Sequence, residues 1–326
     1  MPHSFRLFRR FARFRALVAA ALVLALGGCG DDDSFNPDSS TTPDAADQVA
    51  ALDGSLNPVE AQPVASINYA GGIPIGTFAQ PTSTFGGTFN GAMRNIYPQY
   101  LLRELAAIKG RGGKVALKLS FGDRYIKDAA GNFSLSKWKA RVDLFKSVNF
   151  SSYIKDGTII GHYLIDEPQD VANWNGRPIP QATLEEMAKH SKERWPDMVT
   201  IVRTWPDYLD NWDGNYRYLD AAWAQYAANR WPNAGAFLEE NVSKARAKGL
   251  ALVVGLNIIK GSPSKGQMSA SQVKAYGSAL LSSTYPCAFI SWQYRDGYMS
   301  SGSIKEAMSY LRNKAENRSA KTCRAS

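Results

Sequence analysis

Apolar residues fall into two alternating patterns from about residue 70 to residue 315. In the first, they gather in short runs: "IPIGTFAQ" (73–80), "KVALKLSF" (114–121), "TIIGHYLI" (158–165), "VTIVRTW" (199–205), "YLDAAWAQY" (218–226), "LALVVGLNII" (250–259) and "AFISWQY" (288–294). These seven runs predict strands. In the second, apolar positions recur three and four apart among polar ones, over 99–113, 134–148, 181–195, 237–249, 269–283 and 303–315. These predict helices. Ser134 stands where an N-cap belongs, with Leu135, Trp138, Val142 and Phe145 on one face, and Gly249 closes the helix before it. A run such as "LALVVGL" is apolar at every position but one glycine, which fits a strand covered on both faces.

Strand and helix alternating over this length predict an α/β fold with a parallel sheet wrapped by helices. A single TIM (β/α)8 barrel over 63–318 fits the length, followed by a short tail, 319–326. The eighth strand is sought either in 63–72 or in the glycine-rich stretch 83–95. An open, doubly wound sheet is the rival. The barrel is favoured because polar and aromatic residues follow strand after strand, as the residues of βα loops do.

The N-terminal region departs from both patterns. Residues 1–15 carry Arg6, Arg9, Arg10, Arg13 and Arg15 and no acid, and eleven apolar residues follow, "ALVAAALVLAL". That order reads as a signal peptide, 1–28, too short to span a bilayer comfortably. It ends Leu26-Gly27-Gly28-Cys29, which resembles the lipobox of bacterial lipoproteins. The resemblance implies acylation of Cys29, a lipid-anchored envelope protein, and, with Gly30 next, the outer membrane rather than the inner. Residues 29–62 are rich in Asp, Ser, Thr and Pro and read as an acidic tether.

Removing the signal changes the charge balance. The whole chain is +9; without the five arginines of 1–28 it is +4. The tether holds eight acids and no Lys or Arg, so 63–326 carry +12. A basic domain favours anionic lipid or an acidic glycan, and the alternative is a solvated basic surface. No nucleic-acid motif, phosphate loop or zinc spacing occurs, and no cofactor is implied. With Cys29 acylated, Cys287 and Cys323 are left as an even pair in an exported chain. A disulfide between them would tie the tail to the start of the last strand.

The chemistry lies at the strand ends. Asp123 and Arg124 follow the strand at 114–121, and Asp166-Glu167-Pro168 follow 158–165. Arg203 and Trp205 lie in the next strand, before Pro206-Asp207. Trp223, Gln225 and Tyr226 end the strand at 218–226, Asn257 lies in 250–259, and Trp292, Gln293, Tyr294, Arg295 and Asp296 close the series. In a barrel these residues ring one mouth. Aromatic faces, amides, an arginine and carboxylates on one rim describe a site for sugar, which offers C–H faces and paired hydroxyls.

On these residues the chain resembles the glycoside hydrolase superfamily of (β/α)8 barrels. Several members place their acid/base Glu at the end of the fourth strand, before proline, where this chain has Asp166-Glu167-Pro168. A late tryptophan in the last strand, matched by Trp292, is also common there. "KVALKLSFG" followed by an acid-tipped strand looks like the chitinase-type order, although Tyr163 and Ile165 stand where that pattern has acids. Members with a nucleophilic Glu on the seventh strand would need an acid near Asn257, and none is there. The adjacent Asp-Glu pair resembles enzymes that cleave 2-acetamido sugars, in which Glu protonates the leaving oxygen and Asp orients the substrate's acetamido group. The resemblance implies an O-glycosyl hydrolase with Glu167 and Asp166 as catalytic residues. Trp292, Arg203, Gln225, Tyr226, Asn257, Asp123 and Tyr294 are the candidate substrate contacts.

Glycoside hydrolysis asks for one carboxyl held protonated and a second group that stabilises positive charge at the sugar carbon. A neighbouring carboxylate and an apolar setting would raise Glu167. Asp166, Asp123, Asp207 or Asp296 could be the second group. Strand alternation puts Asp166 and Glu167 on opposite sides, so both serve one site only if the strand ends or bulges there. The structural alternative has Asp166 capping a turn while Glu167 pairs with an arginine. Arg203, inside an apolar strand, needs one of these carboxylates. His162 reads as a core imidazole, Asp220 as a bottom-face residue, Trp223 as core, and Trp138 and Trp195 as helix packing. Three histidines in all argue against a metal site. The expected protein is monomeric and acts on carbohydrate, with a non-catalytic glycan-binding or structural envelope lipoprotein of the same fold as the rival function.

Overall fold

A computed structural model describes residues 72–324. The signal peptide, Cys29 and the tether lie outside the described residues, as does all of 63–72 except Gly72. Eight parallel strands close into a barrel in chain order: β1 Ile75–Phe78, β2 Gly91–Arg94, β3 Lys114–Leu117, β4 Ile159–Asp166, β5 Thr200–Arg203, β6 Ala221–Tyr226, β7 Ala251–Leu256 and β8 Ala288–Ser291. The closing ladder pairs Ile75 with Phe289 and Thr77 with Ser291, which excludes an open sheet. The fold is a (β/α)8 TIM barrel.

The eighth strand is β2, within the glycine-rich stretch. Its glycines have a steric reason: a Cβ on Gly76 of β1 would fall 1.6 Å from the Gly91 carbonyl oxygen of β2. The two backbones pair at that register, so the strand carries too few large apolar residues to stand out in the sequence. The strand at 218–226 begins later than its pattern, at Ala221. Before it, the Tyr218 carbonyl accepts from the Thr200 hydroxyl at 2.5 Å, so the chain enters the barrel through a turn.

The outer layer comprises α1 Pro98–Gly110, α2 Leu135–Asp143, α3 Ser151–Lys155, α4 Gln181–Arg194, α5 Pro206–Asp210, α6 Ala234–Ala247, α7 Ala270–Leu280, α8 Asp296–Met299 and α9 Gly302–Glu316. Capping follows the sequence. The Ser134 hydroxyl accepts from Lys137 N, Asn233 caps α6, and Ser269 with Gln272 forms a reciprocal capping box on α7. Between β1 and β2 there is only a single 3-10 turn, Thr82–Thr84.

Strand alternation divides the core in two. Phe78, Met93, Tyr163, Ile201, Trp223, Val253 and Ile290 fill the barrel, while the opposite faces pack against the helices. Phe78 is central, with ring centroids 4.6 Å from Trp223, 5.0 Å from Trp292 and 5.8 Å from Tyr163. Trp138 and Trp195 lie in the helical layer as expected, Trp138 donating from Nε1 to the Leu164 carbonyl at 2.9 Å. At the N-terminal end the Cys287–Cys323 disulfide ties the tail to the start of β8, with Cα atoms 5.2 Å apart. Among the described residues no helix is long and apolar enough to cross a membrane.

Candidate functional site

The end of β4 resolves the question of alternation. Its register against β5 slips between Tyr163 and Asp166, and Leu164 and Ile165 both pack into the outer layer. Tyr163 therefore faces the barrel and Asp166, three residues on, faces it too. Glu167 follows with φ 38°, a left-handed backbone costly for a side-chain-bearing residue. Its amide donates to the Arg203 carbonyl at 2.9 Å, and its carbonyl accepts from Trp174 Nε1 at 3.1 Å. These bonds hold a conformation that Glu167 would not adopt unaided.

Arg203 is the hub. Its Nε donates to Asp166 Oδ1, its Nη1 to Gln225 Oε1 at 2.5 Å, and its Nη2 lies 3.4 Å from Glu167 Oε1. Its guanidinium carbon is 5.6 Å from the ring centres of Phe78 and Trp292. Burial opposes the arginine's charge, but the Asp166 and Glu167 carboxylates outweigh it and hold Arg203 firmly cationic. Burial pushes the Glu167 carboxyl up; Arg203 opposes this and Asp166 adds to it, and the net displacement is upward. The Tyr163 hydroxyl, fully buried behind them, is held far above its ordinary range by burial and then by Asp166.

Glu167 opens on a shallow depression at the C-terminal mouth. Trp223 lines it with Gln225, Asn257, Trp205 and Arg230, and Glu167 is the single acid among its lining residues. Asp166 is ion-paired with Arg203 and is not among the lining residues. Asp123 reaches Lys118 Nζ at 3.0 Å, both buried, and Asp207 and Asp296 are exposed away from the depression.

The other predicted contacts divide. Gln225 and Asn257 line the depression; Asn257 Oδ1 accepts from Lys260 N at 2.9 Å. Trp292 is partly exposed and packs on Phe78 beside Arg203, but is not among the residues lining the depression. Tyr226 does not belong there. It points outward between Phe237 and Tyr276, its hydroxyl bound to the Trp231 carbonyl. Alternation from inward Gln225 requires this, so the sequence already contained the correction. Tyr294 packs at the outer layer and donates to Asp296 at 3.1 Å, away from the depression. His162 faces the helices, bonded to the Ser191 hydroxyl at 2.9 Å and stacked on Trp138. Burial lowers it to about 3, so it stays neutral. Asp220 binds Thr200 and Lys192 below the barrel. Sequence reasoning missed Arg230 and the buried Lys118. Arg230 lies five residues beyond Gln225, and following the β6 chain further into its loop would have reached it.

All five non-glycine residues with positive φ among the described residues follow a strand: Ala79 after β1, Phe121 after β3, Glu167 and Asn175 after β4, and Lys265 after β7. In turns that lead from helix to strand, the positive-φ positions are Gly112, Gly157 and Gly249. Strain is thus confined to the C-terminal face, where barrels carry their sites. Among the described residues, no cluster of three or more His, Cys, Asp or Glu is arranged to hold a metal ion.

No family model and no curated protein matches the chain. Solved structures do. An exo-β-1,4-mannosidase from an Opitutaceae bacterium aligns with TM-score 0.54 and 13 % identity, covering 77 % of this chain and 62 % of its own, so this chain spans less than two thirds of that protein. A glycoside hydrolase candidate from Parabacteroides distasonis aligns with TM-score 0.52 and 10 % identity, covering 77 % of this chain and 95 % of that one. Xylanase 10B from Thermotoga petrophila aligns with TM-score 0.50 and 9 % identity, covering 75 % and 94 %. At these identities the likeness establishes a shared fold.

Proposed function

We propose that this barrel is a glycoside hydrolase acting on an envelope or extracellular glycan, with Glu167 as general acid/base. One observation carries the reading. Glu167 is a buried carboxyl displaced toward its protonated form, at the end of β4, opening on the depression at the mouth. A carboxyl in that state can give its proton to a glycosidic oxygen. Asp166 is the second group, fixed by Arg203 at the same strand end. It stabilises charge at the sugar carbon or orients a substrate acetamido group. Trp292, beside Arg203, supplies an apolar ring face, and Gln225 and Asn257 supply amides. The mannosidase, the xylanase and the Parabacteroides protein share this fold and support carbohydrate as the substrate class. The chain is exported through 1–28 and anchored by acylated Cys29, in the outer rather than the inner membrane, as a monomer. The order of basic region, apolar run, small residues and cysteine supports that placement.

A second reading, glycan binding without hydrolysis, is favoured by one observation: Glu167 lies 3.4 Å from Arg203 and no second acid lines the depression. A panel of polysaccharides and aryl glycosides, tested with the wild-type chain and Glu167→Gln, separates the two. Turnover by the wild type, abolished in Glu167→Gln with the fold and glycan affinity kept, is the expected result. Saturable binding without wild-type turnover selects the second reading. Equal turnover by both proteins removes Glu167 from the mechanism.

A further inference from the structure

One wall of the depression is formed by the loops that follow β6 and β7, residues 227–233 and 257–269. They carry Arg230, Lys260 and Lys265 and no Asp or Glu. The loops are joined: the Ala228 amide donates to the Gly261 carbonyl at 2.7 Å, and Asn229 Nδ2 donates to the Lys260 carbonyl at 3.3 Å. Arg230 is exposed, lines the depression with Glu167, and has its guanidinium carbon 6.0 Å from the ring centre of Trp205. Trp205 is itself packed edge-on to Trp231 at 4.8 Å. No carboxylate forms an ion pair with Arg230 among the described residues. Its charge nevertheless reaches the site, drawing the Glu167 carboxyl downward against the larger upward push of burial.

A neutral sugar would be held by the amides and ring faces already present. A planar guanidinium at the lip, seated beside an indole with five donors to spare, matches a carboxylate or sulfate oxygen pair. The excess of +12 over 63–326 adds long-range attraction of the same sign. We infer that the glycan bound at this mouth is anionic, with a uronate or sulfate group on the sugar beside the Glu167 position paired to Arg230. The inference rests on the glycan reading above and narrows it to acidic glycans.

The test is direct binding of the full-length chain to three short oligosaccharides of matched length: an oligouronate, a sulfated oligosaccharide and a neutral cello-oligosaccharide. Arg230→Ala is compared with Lys314→Ala, which removes the same unit of charge from an exposed position on α9 outside the depression. The expected result is preference for one anionic ligand, a loss of about tenfold or more in Arg230→Ala, and less than about twofold in Lys314→Ala. The ligand preferred, uronate or sulfate, identifies the group. Equal loss in both variants overturns the inference, because it reports only net charge. Equal or tighter binding of the neutral ligand overturns it while leaving the glycan reading intact. Binding of none of the three, nor of any glycan in the wider panel, overturns both.

Discussion

Glu167 is held by two opposed forces whose balance sets a measurable pH range. Burial raises its carboxyl above the ordinary 4.5, the Arg203 cation resists, and Asp166 adds a further push upward. A general acid must carry its proton, so turnover should fall as pH rises through the raised value. The basic limb of kcat/KM therefore belongs above 4.5. Asp166→Asn removes the carboxylate's push and leaves Arg203 to Glu167 alone, so the limb should move to lower pH. A limb that stays in place in Asp166→Asn contradicts the coupling of the pair. Stability has the same sign. A carboxyl raised in the folded state contributes fully below its unfolded value, and that contribution is lost as pH rises through the folded one. Much of this was legible in the sequence. An arginine inside an apolar strand demands a carboxylate, and Asp166 and Glu167 were the nearest candidates. The direction of Asp166 was not legible, because it depends on a register slip against β5 that no residue of β4 announces.

At the scale of elements, the strands most readily found were those buried on both faces, such as β7, whose six residues are all buried. β2 was obscured by its own packing, since the close approach of Gly76 and Gly91 requires residues that carry no apolar signal. The tail is a different case. The even pair left once Cys29 is set aside predicts a bridge, and here Cys287 and Cys323 close a loop of 36 residues in sequence. In the chain-entropy view a loop of that length restricts the unfolded state by about 4 kcal/mol. Reduction of the full chain should lower its unfolding free energy by about 2–4 kcal/mol, read from denaturant midpoints with and without reductant. Equal midpoints would mean that α9 and the tail hold their place without the bridge. The 3-10 turn between β1 and β2 leaves one sector of the barrel without a helix of its own. α9 shares in covering it, its Ala315 carbonyl accepting from the Ile73 amide at 3.1 Å.

For the whole molecule, the barrel and the place of its candidate site were legible from where polar residues fell relative to strands. The depth of the site was not: Tyr226 and Tyr294 are close to the mouth in sequence and lie outside it in space. The proposed anchor belongs to this scale because it concerns where the entire chain resides. Cys29→Ala should abolish incorporation of labelled palmitate and move the chain from the detergent phase to the aqueous phase. Unchanged partitioning would remove Cys29 as the anchor. One feature of the fold gives the barrel a polarity. The described chain enters at Gly72, against the end of α9 and next to the start of β1, on the end of the barrel that the Cys287–Cys323 bridge also occupies. Glu167, Arg203 and Arg230 open at the other end. Gly72 and the bridge thus mark the base of the barrel, and the Glu167–Arg203 cluster marks its mouth, so whatever is seated on one end leaves the other free.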